Sequence, residues 1–189
     1  EKVRPVLFIN KVDRLITERR LSAQKVAEEV NKVAREFNAM LGKYLDDEVL
    51  EEWEVSFPKN SLSIGSALDK WGIGLETLKA RATESHAESL AEVFMELIEE
   101  IVDAYGNERE HELEEKFPIA QVVLDSVVKT VPDPINAQQY RIPAFWDGDL
   151  QSNTGKSLIH CDPSGPCVLL VSDVQPDRHA GTVATVRVF

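Results

Sequence analysis

Cysteine is almost missing from this chain: Cys161 and Cys167 are the only two in 189 residues. That excludes a disulfide framework as the source of stability. The pair flanks the turn-like Asp162-Pro163-Ser164-Gly165-Pro166, so a bridge across a hairpin is conceivable, but two reduced thiols are the expectation. Long apolar runs are missing too. No stretch reaches the roughly 18 residues a membrane-spanning helix needs, and no basic-then-apolar leader opens the chain. Both absences point to a cytoplasmic protein with no membrane partner. Positive charge is scarce, with 21 Lys and Arg against 33 Asp and Glu and a net charge of −12. Such a field repels nucleic-acid phosphates, so DNA is not expected as a partner. Any RNA contact would need a local basic patch or further parts. The four histidines fit no metal-ligand spacing, and no Ser/His/Asp or Cys/His order points to nucleophilic catalysis. Neither a metal site nor a catalytic residue is expected here.

What is present is ordinary for a globular chain: 43% apolar and 29% charged residues, enough to bury a core. The acidic excess is uneven. From Glu84 to Lys116 there are 12 Asp/Glu against 2 Lys/Arg, which reads as a solvated helix face. Glu1 stands where Met would, just before an apolar run, and Val183-Ala184-Thr185-Val186-Arg187-Val188-Phe189 ends the sequence as a strand would. Both ends are expected to be cuts within a longer chain.

Pro5-Val6-Leu7-Phe8-Ile9 has the β-branched, apolar character of a strand buried on both faces. After it, Ser22 can cap a helix whose apolar positions are Val26, Val30, Val33, Phe37 and Leu41, closing near Gly42. Asp46 to Trp53 reads as a shorter helix and Trp53 to Phe57 as a strand. Leu62 to Ala67 is a strand running into a small-residue loop, and Gly72 and Gly74 open a weak helix up to Arg81. The strongest helical stripe is Leu90, Val93, Phe94, Leu97, Ile98, Ile101 and Val102, ending at Gly106. Ile119 to Val131 predicts a helix burying Val122, Val123, Val127 and Val128, although its β-branched residues leave a strand open. Pro132 and Pro134 then impose extended backbone. From there to Pro166 the sequence is turn-rich, followed by β runs at Cys167–Val174 and Thr182–Phe189. A domain boundary is expected between residues 132 and 143, α/β before it and antiparallel β after.

Asn10-Lys11-Val12-Asp13, at the end of the first strand, fits N-K-x-D. A carboxylate at Asp13 can accept two hydrogen bonds from the ring N–H and exocyclic amine of guanine, a pair adenine does not offer. Asn10 supplies an amide for another base edge and for bracing neighbouring loops, and Lys11 can lay its aliphatic stem over the base plane. A second strand ends in Gly65-Ser66-Ala67-Leu68. There a backbone N–H can meet the guanine keto oxygen, and a small side chain lets the backbone come close. The candidate guanine site is therefore Asn10, Lys11, Asp13, Ser66 and Ala67.

These residues carry a resemblance. Arg4 to Leu15 and Gly65 to Gly72 are similar to the archaeal elongation factor 2 family of translational GTPases. So are Val122 to Val128, Pro132-Asp133-Pro134, Ala137 to Pro143, Cys161 to Pro166 and His179 to Thr185. The resemblance runs nearly end to end and is weakest from about Ala80 to Glu115 and after Leu41. It implies an α/β fold: the C-terminal part of a P-loop GTPase sheet with extra helices, then the start of an antiparallel β-barrel domain. The implied limits are 1–131 for the G-domain part, 132–165 for a linker and entry to domain II, and 166–189 for its first strands. The implied function is GTP-dependent movement of tRNA and mRNA on the ribosome. GTP and GDP are the implied ligands, Mg²⁺ the cofactor of the full-length parent, and rRNA and ribosomal proteins its partners. About 55 residues separate Asn10 from Ser66, more than one strand-helix connection needs, so inserted helices are expected between them. Val186 stands where the family often has glycine.

Three patterns imitate phosphate motifs. Thr154-Gly155-Lys156-Ser157 resembles the end of a P-loop, but the full pattern would need glycine at Leu150 and a preceding strand. Asp69-Lys70-Trp71-Gly72 and Asp162-Pro163-Ser164-Gly165 satisfy D-x-x-G but follow the base loops instead of preceding them, and turn chemistry accounts for both. Without phosphate-binding loops the chain alone is expected to hydrolyse no GTP. Two alternatives remain. One is a GTPase of the same superfamily acting in ribosome maturation or splicing. The other is a non-catalytic helical and β interaction module, which would leave Asn10, Asp13 and Ala67 far apart.

Overall fold

A computed structural model describes residues 3–189 of the chain. Contacts divide it into two compact units, one of Arg4–Val131 and one of Pro132–Phe189 with Val3.

The first unit is built on a three-stranded sheet of order β1 (Leu7–Ile9), β2 (Leu62–Ser66), β3 (Trp71–Ile73). β1 and β2 are parallel, with Leu7 opposite Leu62 and Ile9 opposite Ile64. A parallel pair needs a long crossover. Here α1 (Val12–Thr17), α2 (Ala23–Leu41) and α3 (Asp47–Trp53) supply it, so the long spacing between the two motifs is helical. α4 (Leu75–Glu84), α5 (Leu90–Gly106), α6 (Glu112–Lys116) and α7 (Ile119–Thr130) follow the sheet. Ile64, Trp71 and Ile73 enter the main core beside Val26 and Val30 of α2 and Leu97, Ile98 and Ile101 of α5. Every residue of β2 is buried, while β1 is only half-buried. Full burial was expected of β1, but it pairs on one side only and forms an edge of this sheet.

β2 and β3 approach closely because glycine faces glycine, Gly65 opposite Gly72. A Cβ on Gly65 would stand 2.2 Å from the Trp71 carbonyl oxygen and 2.9 Å from Gly72 Cα. Backbone cannot yield as a side-chain tip can. Gly65→Ala is therefore expected to destabilise the chain by about 1–3 kcal/mol, the usual cost of overpacking, read as a lowered urea midpoint.

Two expectations fail for identifiable reasons. Glu54 to Phe57 is not a strand, because the Asn38 side chain takes both backbone positions a neighbouring strand would use. Its Nδ2 donates to the Val55 carbonyl at 3.0 Å and its Oδ1 accepts the Val55 N–H at 2.8 Å. α7 is a helix, but it does not bury all four expected valines. Val122 is buried together with Ser126 and Thr130, while Val123, Val127 and Val128 are 36%, 43% and 78% exposed. The small side chains face inward because Gly72 and Gly74 bring the sheet against Val122, leaving little room. Thr130 also donates to the Asn60 carbonyl at 2.9 Å.

The second unit begins with two helices where extended, turn-rich chain was expected, α8 (Pro134–Phe145) and α9 (Asn153–His160). Pro134 starts α8 from its first turn, where the missing N–H costs nothing, and Asp133 caps it by accepting the Asn136 N–H at 3.0 Å. That hydrogen bond, then the one from the Asn136 side chain, holds the Asp133 carboxyl below its ordinary value. A depressed carboxyl stabilises the fold above its unfolded value and loses that contribution as pH falls through the folded value. Amide protection at Asn136 should accordingly fall on acidification below the ordinary carboxylate range, and Asp133→Ala should remove that dependence. Gly155, from the P-loop imitation, lies inside α9. A Cβ there would meet the Asp149 carbonyl at 2.5 Å, so packing accounts for the glycine.

A hairpin of β4 (Leu169–Asp177) and β5 (Gly181–Val188) completes the unit. A bulge between Val171 and Asp173 resets the alternation, so Leu169, Val171 and Val174 share one face with Ala184, Val186 and Val188. Both cysteines are free.

Candidate functional site

The parallel register of β1 and β2 sets Ile9 opposite Ile64, and β2 runs two residues further, to Ser66. The chain leaves them as two adjacent loops, the position where open α/β sheets place ligands. Asn10 joins these loops directly: its Oδ1 accepts the Lys11 N–H at 2.7 Å and the Ala67 N–H at 3.0 Å. Asn10 thus holds a residue 57 positions further along the chain. Lys11 adopts a left-handed conformation, φ 65°, turning the chain from strand into α1. Asp13 follows in the first turn of α1 and is only 7% exposed. Among the described residues none donates a hydrogen bond to its carboxylate. Its carboxylate is therefore free to accept from a donor placed against it.

Ser66 has a role the sequence did not foretell. It is fully buried, and its hydroxyl accepts the Asp69 N–H at 3.1 Å and donates to Asp69 Oδ2 at 3.3 Å. The hydroxyl closes the turn, and the loop presents backbone instead. Asp69 Oδ2 also accepts a hydrogen bond from the Tyr105 hydroxyl, which in turn accepts the Trp71 Nε1–H at 2.9 Å. Burial first, then the bond to Asp69, pushes the Tyr105 phenol well above its ordinary value, so it remains a donor throughout neutral pH. Asp69, Trp71 and Tyr105 were not singled out in the sequence as site residues. Asp69 carried a local signal, three positions after Ser66. Tyr105 continues the α5 stripe at Ile101 plus four, where the pattern predicts only packing.

The hydrogen-bonded loop pair at the strand ends and the helices around it make an α/β chain compatible with part of a G-domain protein. No family model matches the sequence. Curated relatives are more specific. The chain is 43% identical over 191 residues to elongation factor 2 of Staphylothermus marinus, and 41% identical over 189 residues to those of Pyrobaculum calidifontis and Cenarchaeum symbiosum. In each case the match takes in 100% of this chain and 24% of the relative. The chain is therefore similar over its whole length to archaeal elongation factor 2 and spans about a quarter of that protein's length.

Proposed function

We propose that this chain contributes the guanine-recognition loops of an elongation factor 2 that uses GTP to drive ribosomal translocation of tRNA and mRNA. The observation that carries this reading is the Asn10–Ala67 hydrogen bond, which sets the loop leading to Asp13 beside the loop after β2. Guanine supplies the complement. Its ring N–H and exocyclic amine suit the Asp13 carboxylate, and its keto oxygen would take over or share the Ala67 N–H that donates here to Asn10 Oδ1. Asn10 Nδ2 keeps two N–H groups for the adjoining base edge, and the Lys11 stem covers the ring face. GTP and GDP are then the ligands. Mg²⁺ and the phosphates would be held by other parts of the parent, which meets the ribosome in the cytoplasm. The hairpin Leu169–Asp177 and Gly181–Val188 fits the opening strands of a β-barrel domain II within 166–189. Residues 132–165 lead into it and 1–131 end the G domain.

Equilibrium binding of GDP and ADP to the intact factor tests this. A preference for GDP of at least 10³-fold is expected, because a site built on hydrogen bonds rejects a base that leaves them unpaired by about 10⁴–10⁵-fold. Comparable affinities would remove the reading. The present chain, titrated with a fluorescent GTP analogue, should bind weakly and hydrolyse none. Magnesium-dependent micromolar binding would contradict that.

A further inference from the structure

We infer that Tyr105 of α5 is a positioning residue for base recognition, acting through Asp69 on the loop that offers the Ala67 N–H. The inference rests on the guanine reading above and adds a residue, and a route, that the two sequence motifs do not contain.

The route is continuous. Trp71 Nε1–H donates to the Tyr105 hydroxyl, that hydroxyl donates to Asp69 Oδ2, and the same oxygen accepts from the Ser66 hydroxyl. Asp69 N–H returns to Ser66 Oγ and closes the loop on itself. Ala67 and Leu68 lie inside this closed turn and are exposed, Leu68 by 79%, so packing does not fix their backbone. What fixes it is Ser66 and Asp69 at either end, with Asn10 in the middle. Tyr105 anchors the far end to rigid structure, since α5 carries the fully buried Leu97, Ile98 and Ile101 and Trp71 is itself 0% exposed. The Ala67 N–H reaches a keto oxygen only by giving up or sharing its bond to Asn10 Oδ1, so an anchor that fixes the position of the turn acts on selectivity at that one contact. The Asp13 carboxylate, in α1, makes no bond in this chain, although its charge is one of the smaller causes that raise the Tyr105 phenol.

The test uses the intact factor and two probes, GDP and 6-thioguanosine diphosphate, which keeps the ring N–H and amine but replaces the keto oxygen with a weaker acceptor. Tyr105→Phe removes one hydroxyl and keeps the ring. It should weaken GDP about fivefold, the equivalent of one hydrogen bond, and weaken the thio analogue much less, so that their affinity ratio shrinks. Asp69→Ala should shrink the ratio at least as much, and the double variant should show little further change because both act along one route. Thermal melting reports folding separately. If the wild type fails to prefer GDP over ADP, the guanine reading falls and this inference falls with it. If that preference holds while Tyr105→Phe leaves the GDP to thio ratio unchanged, only the inference is overturned. Equal losses for both probes would mark a merely structural role and also overturn it.

Discussion

Asp13→Ala should lower the affinity of the intact factor for GDP by on the order of 10²–10⁴-fold, because two hydrogen bonds to a charged acceptor contribute roughly 1.5–3 kcal/mol each. The loss should fall on the base and spare the fold, since no described residue donates to this carboxylate. Asp13→Asn separates these effects more sharply. An amide offers a donor where the carboxylate offered only acceptors, which suits a base with a keto group in place of the exocyclic amine. Xanthosine diphosphate should therefore bind this variant better than GDP, reversing the wild-type order. Isothermal titration with the two diphosphates reads the inversion. Parallel weakening of both would mean that Asp13 supports the loop and does not touch the base.

The largest effect on stability is expected at Trp71. Its side chain is completely buried between the core of α5 and the segment at Pro118, which pairs with Trp71 in an isolated antiparallel bridge. Trp71→Ala should cost about 3–5 kcal/mol, the range for removing a buried aromatic, out of a total that for a domain is typically about 5–15 kcal/mol. It also strips a donor from Tyr105. Trp71→Phe keeps most of the volume and loses the Nε1–H, so a smaller loss, near 1 kcal/mol, is expected. Urea unfolding followed by far-ultraviolet circular dichroism distinguishes them, whereas fluorescence would be confounded by Trp53 and Trp146. Equal midpoints for wild type and Trp71→Ala would contradict the packing account.

Periodicity made the helices α2 and α5 legible, because Val26, Val30, Leu97, Ile98 and Ile101 recur at helical spacing and face a single core. The two base loops were legible because a short apolar strand followed by a defined polar set is a strong local pattern. Failures came where a long-range partner overrode local character. At α7 the valines suggested a broad buried stripe, but glycines on the opposing sheet admit only a narrow one. At Pro134 a residue that ends helices instead begins one, since the deciding feature is the cap from Asp133. At Val55 a side chain from α2 replaced the strand that alternation predicted. The anchor at Tyr105 was hidden for the same reason, being 36 residues from Asp69 with nothing local to link them.

The register that sets Ile9 opposite Ile64 makes base choice a matter of alignment between two short strands. Slipping β1 by one residue against β2 would carry Asn10 about 3.3 Å along the strand and turn every β1 side chain to the opposite face. No hydrogen bond spans that displacement, so Ala67 would lose its partner outright. Length changes in the three helices of the crossover leave this alignment untouched, whereas one inserted residue among Leu7, Phe8 and Ile9 would destroy it. Three residues of strand therefore tolerate less change than the roughly fifty that separate them from their neighbour.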